Sequence, residues 1–130
     1  MTSATAFRSA VAVLPCDDVL QLMTYFVDVL GFCRHFLYGD PPVYGAVKAD
    51  DALLYICHDP AFARVIREQN LHPDLFIWVT NVDEHYARHR NNGAQVVEEL
   101  ANRPWDARQY TLLAPNGYHL KIAEPLDDEE

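Results

Sequence analysis

Basic charge is scarce in this chain of 130 residues: ten Lys and Arg stand against nineteen Asp and Glu, a formal net charge of −9. Phosphate backbones are bound through clustered cations, so a nucleic-acid partner is excluded from the expectations. Cysteine is also sparse. Cys16, Cys33 and Cys57 form no C-x-x-C pair and are odd in number, which argues against a disulfide framework or a structural zinc site. They read as reduced packing thiols, and Cys57, in a strand-like run beside His58, is a nucleophile only in the less economical reading. No apolar run reaches the roughly 20 residues of a membrane span. The opening Met1-Thr2-Ser3-Ala4-Thr5-Ala6 lacks a basic segment followed by a long apolar one, so a soluble cytoplasmic protein without membrane contact is expected. With only five glycines there is no Gly-rich phosphate loop.

What is present is enough for one core. Half of the residues are apolar, which suits a single domain of this length. Four of the negative charges fall in Asp127-Asp128-Glu129-Glu130, read as a solvated acidic tail over 126–130. The remaining acidity would attract a cationic ligand, although it serves solubility equally well.

Periodicity divides the rest. Val11 to Leu14 is a short strand-like run, and Val19, Leu22, Met23, Phe26, Val27 and Leu30 repeat at three and four, the period of a helix with one buried face. Asp17 or Asp18 can cap that helix and Gly31 can end it. Phe32 to Tyr38, Tyr44 to Ala49 and Leu53 to Cys57 are rich in aromatic and β-branched residues, separated by turn residues, and predict an antiparallel meander. Asp59 to Asn70 reads as a helical connector with Pro60 in its first turn. The order then returns: a strand over Leu75 to Val79, a helix over Val82 to Asn92 opened by Asn81 or Asp83, Gly93, and strands over Gln95 to Leu100, Arg108 to Leu113 and Tyr118 to Ala123.

Gly31 and Gly93 recur at a spacing of about 62 residues, as do the two module starts. The fold class expected is α+β: two tandem β-α-β-β-β modules forming curved mixed sheets with helices outside and a cup-like ligand cavity. The boundaries are a single domain over 1–130, with a first module at 8–58, a connector at 59–73 and a second module at 74–125.

The stretches Ala12-Val13-Leu14-Pro15 with Asp17-Asp18, Tyr25 to Phe32, Phe76 to Asp83, and Arg103-Pro104-Trp105 through Ala114-Pro115-Asn116-Gly117 together resemble the vicinal oxygen chelate superfamily, which includes glyoxalases, bleomycin resistance proteins and extradiol dioxygenases. The resemblance covers about residues 8 to 125. It implies, in the metal-dependent members, a divalent ion held by side chains from the first strand of each module and a Glu from the last strand. Those positions fall on Val11, Asp74 and Lys121. A catalytic metal takes about three protein ligands, and only one of these residues can serve. A register shift of two brings in His72 and His119 but leaves the first strand with Ser9 or Val13.

The resemblance therefore leans to the metal-free, bleomycin resistance-like branch, whose members are acidic dimers that sequester a basic glycopeptide in a groove shared by two subunits. The expectation is a homodimeric binding protein without a catalytic metal or cofactor. Its candidate ligand-binding residues are Asp74, Phe76, Trp78, Trp105, Tyr110, His119 and Lys121. Asp74 and Lys121 can pair in place of the metal, or simply face solvent. Phe76 and Trp78 share the face of Asp74 by alternation, and aromatic rings hold planar or cationic ligands by stacking and cation–π attraction, though they also serve as ordinary core. Glu98 or Glu99 can reach the same face. His85 and His89 stand at the spacing of a zinc-binding helix, but Tyr86 replaces the Glu of such a motif, and the pair reads as a solvated helix face. The alternative, from a different class, is a metal-dependent lyase, isomerase or dioxygenase, or a metal-free enzyme using Lys121 or His119 for proton transfer.

Overall fold

The computed structural model describes residues 5–126; the acidic residues 127–130 of the expected tail lie outside the described residues. The first half forms β1 (Ala12–Cys16), α1 (Val19–Asp28), β2 (Cys33–Tyr38), β3 (Tyr44–Ala49) and β4 (Ala52–His58). After α2 (Pro60–Glu68) the order repeats as β5 (Asp74–Trp78), α3 (Val82–Asn91), β6 (Gln95–Arg103), β7 (Ala107–Leu113) and β8 (His119–Pro125), with a 3₁₀ turn at Pro115–Gly117 before the last strand.

Each half builds a four-stranded mixed sheet, in the order β1-β4-β3-β2 and β5-β8-β7-β6. The first strand pairs parallel with the last of its module, and the remaining pairs are antiparallel. This is the duplicated α+β architecture that the repeat predicts. Gly31 and Gly93 occupy the same place in both halves with φ of +89° and +90°, a left-handed conformation that ends each helix and that side chains disfavour.

Helix α1 buries Val19, Leu22, Met23 and Phe26, and its start is capped by Asp18 accepting from the Gln21 amide at 3.0 Å. Asp59 caps α2 in the same way, through the Phe62 amide at 3.1 Å. The apolar face of α1 joins Leu14, Val47, Leu54 and Ile56 of the first sheet and Tyr110, Leu112, Leu120 and Ile122 of the second in one contiguous core. Strand alternation then sends the other set of side chains to the opposite face of each sheet. One face of each sheet is thus covered by helix, and the other is left open.

The third helix departs from expectation at its start. Asn81 has φ +58° and its side chain makes no capping bond; instead the Glu124 carboxylate on β8 accepts from the Asn81 and Val82 amides at 3.1 and 3.0 Å. His89 also departs from the solvated-face reading, being only 5% exposed. Its Nε2 donates to the Leu30 carbonyl at 3.3 Å, which leaves Nδ1 to accept from the Tyr110 hydroxyl at 2.6 Å. A neutral imidazole thereby joins the two halves of the molecule.

Candidate ligand-binding site

Alternation along β5 turns Leu75 and Ile77 toward the core and leaves Asp74, Phe76 and Trp78 on the helix-free face. Register aligns this strand with its neighbours, so Phe76, Lys121, Thr111 and Glu98 stand in one cross-strand row. Lys121 Nζ lies 3.3 Å from Asp74 Oδ2. The Phe76 and Trp78 rings meet at 4.8 Å, tilted by 57°, and are 43% and 60% exposed. Thr111 donates to Glu98 at 2.6 Å, which brings one carboxylate of the Glu98-Glu99 pair onto this face. Trp105, in the turn between β6 and β7, is exposed and donates its indole N–H to Gln109 at 2.9 Å. The open face thus carries an ion pair, an adjacent aromatic pair and a second indole set by a glutamine.

One of the expected residues, Tyr110, stands apart from that group, and another, His119, lies at its edge. Tyr110 is on the opposite face of β7, 0% exposed, because residues alternate and its neighbours Gln109 and Thr111 take the open side. Burial pushes its hydroxyl above the ordinary tyrosine range, and that hydroxyl is spent on His89; in this chain it offers a ligand no surface. His119 stacks on His72 with centroids 4.4 Å apart and planes within 9°, while His72 Nδ1 donates to the Gly117 carbonyl at 2.9 Å. It lies at the Asp74 end of the face, opposite Asp74 in register.

The residues at the metal positions implied by the family do not fit a divalent ion. The single carboxylate, Asp74, already faces the Lys121 ammonium, and an ammonium repels the ion. Lone pairs of imidazole lie in the ring plane, so the parallel stack of His72 and His119 does not converge on one point. Among the described residues no three His, Cys, Asp or Glu side chains gather as metal ligands. Burial raises the Cys16 thiol to about 12 and also raises Cys57, which disfavours a thiolate at either position.

A second aromatic surface escaped the sequence reading. On the helix-free face of the first sheet, Val13, Tyr55, Ala46 and Phe36 form a cross-strand row. Phe36 stacks on Tyr44 at 6.0 Å and meets Tyr55 at 5.9 Å. Phe36, Tyr44 and Tyr55 lie one on each of β2, β3 and β4, so only the strand register, which no local spacing encodes, brings them together. Among the described residues, a cavity of about 340 Å³ lies beside Asp17, Arg67 and the Asn116-Gly117 turn, and another of about 550 Å³, bordered by Trp78, lies between the two halves.

Two βαβββ modules, each a four-stranded mixed sheet, define a small duplicated α+β fold. The glyoxalase-like domain model matches residues 10–123, and the chain belongs to that family. None of the curated proteins compared with it matches. Solved structures share the fold: TioX from Micromonospora sp. ML1 is 20% identical with a TM-score of 0.76, covering 92% of this chain and 100% of that one. TnmS3, an antibiotic binding protein from Streptomyces sp. CB03234, is 19% identical with a TM-score of 0.72, covering 95% and 99%. A bleomycin resistance determinant encoded on the transposon Tn5 is 17% identical with a TM-score of 0.75, covering 92% and 98%. Among the described residues no helix is long and apolar enough to cross a membrane.

Proposed function

We propose that this chain is a cytoplasmic, homodimeric small-molecule binding protein that sequesters a planar or cationic toxic compound without a catalytic metal. The observation that carries this reading is the exposed Phe76–Trp78 pair beside the Asp74–Lys121 ion pair on an open sheet face. At 55% and 32% side-chain exposure that pair contributes on the order of 0–1 kcal/mol to folding, so its value lies in orienting a polar ligand. Rings at its side supply stacking and cation–π attraction. The net charge of −9 draws cations toward the surface. TnmS3 is an antibiotic binding protein and the Tn5 protein a bleomycin resistance determinant, both on this fold. The aromatic face of the first sheet, with Phe36 and Val13 exposed, suits a second copy that closes the groove.

The test is a fluorescence titration of the chain's two tryptophans with bleomycin and with ethidium, paired with thermal melts. Saturable quenching is expected for at least one probe. Trp78→Ala should weaken that binding about tenfold with the melting temperature held. A metal chelator should leave melting unchanged; a fall in melting temperature with chelator, with stoichiometric metal in the purified protein, points instead to the metal-dependent lyase, isomerase or dioxygenase reading. Absence of binding by both probes rejects sequestration of this class.

A further inference from the structure

The crevice between the two modules is a separate place for a ligand, built within one chain and sharing only Trp78 with the open face. Its volume of about 550 Å³ falls in the range that drug-sized molecules occupy. One wall is apolar: Leu30 and Phe32 after α1, Ile77 and Val79 at the end of β5, and Ile122 on β8. The turn between β3 and β4 adds Asp50 and Asp51 to the lining, both exposed.

Charge at this crevice is unbalanced toward the negative. Among the described residues neither Asp50 nor Asp51 enters an ion pair. The guanidinium lining the cavity, Arg88, is taken by Glu84 at 2.6 Å. Both α1 and α3 end here, with Leu30, Gly31 and Asn92 in the wall, and a helix C-terminus carries the negative end of its dipole. The carbonyls of Val29 and Leu30 are already bonded by Asn92 and His89, so the helix ends add field without competing for a direct contact. Trp78, 60% exposed, also borders the cavity.

The geometry points to a binding site for a small aryl-alkyl amine, its apolar body on Leu30, Phe32, Ile77 and Ile122 and its ammonium at Asp50 and Asp51. The site goes beyond the sequestration reading and does not depend on it, because no residue of the second copy and no part of the Asp74–Lys121 pair takes part.

Naphthylethylamine and its neutral isostere naphthylethanol are the probes, titrated into the full chain with NMR amide-shift mapping. The amine is expected to bind about tenfold tighter than the alcohol at low salt, with shifts at Gly31, Asp51 and Thr80. In the Asp50→Asn/Asp51→Asn variant the preference should vanish while alcohol binding persists; Asn tolerates the φ of +50° at position 50. That variant should keep the bleomycin or ethidium quenching of the open face, which separates failure here from failure there. Equal affinity for the two probes overturns the site. So do shifts confined to Thr111 and Lys121, a preference unchanged in the double variant, or no shifts at all.

Discussion

His89 sits in a helix whose other residues are mostly polar, and local sequence alone gives it a solvated place. Its burial comes from residues distant in sequence: Leu30 of the first half and Tyr110 of its own half take both ring nitrogens, and no local pattern encodes two bonds made across 59 and 21 residues. The same contact removed Tyr110 from the ligand face, since the ring alternation that Phe76 and Trp78 obey sends Tyr110 inward. Burial lowers the imidazole from 6.5 to about 4. Between those values the unfolded chain binds a proton that the folded chain refuses, so stability from this group is whole above about pH 6.5 and is lost as pH falls toward 4. The loss amounts to at most about 3 kcal/mol. His89→Gln should therefore flatten the fall in stability between pH 6.5 and 4.5, measured by urea unfolding against wild type; parallel curves reject a neutral buried histidine. Lys121→Ala should do the reverse of a core change, moving stability by less than about 1 kcal/mol while weakening the ligand binding proposed for the open face.

At the scale of elements, the strand and helix order was legible because each module writes it twice, in apolar period, cap and glycine. Asp18 and Asp59 cap their helices from one turn away, a signal that lies inside the segment it governs. The start of α3 was not legible for the opposite reason: its cap is Glu124, more than forty residues away in sequence, and is delivered only by the pairing of β5 with β8. The carboxylate there satisfies two orphan amides and meets the positive end of the helix dipole. Glu124→Ala should cost about 1–2 kcal/mol in chemical unfolding, whereas Asn81→Gly should be tolerated because glycine adopts the φ of +58° freely. A Glu124→Ala protein as stable as wild type would mean that water replaces the cap without loss.

For the whole molecule, the two open sheet faces pose one problem. Val13 and Phe36 on the first sheet, and Phe76 and Trp78 on the second, are each at least 37% exposed, and rings clustered on a sheet face are otherwise a liability for association. Sequence patterning told that these strands have an inner and an outer side; it did not tell how the two modules meet, which is settled through His89, Tyr110 and the end of α1. A second copy laid against the first would bury both ring sets and roof the Asp74–Lys121 pair at once, in a symmetric arrangement that needs no new element. The expected result is a dimer by sedimentation at about 10 µM, with a melting temperature that rises with protein concentration. Phe36→Glu places a carboxylate among Tyr44 and Tyr55 and should shift the protein toward monomer, weakening bleomycin or ethidium binding in step if the groove is shared. A wild-type monomer at that concentration defeats the dimer. A Phe36→Glu monomer that binds as well as wild type would instead confine the ligand to one chain's second sheet, with the aromatic face of the first sheet serving assembly alone.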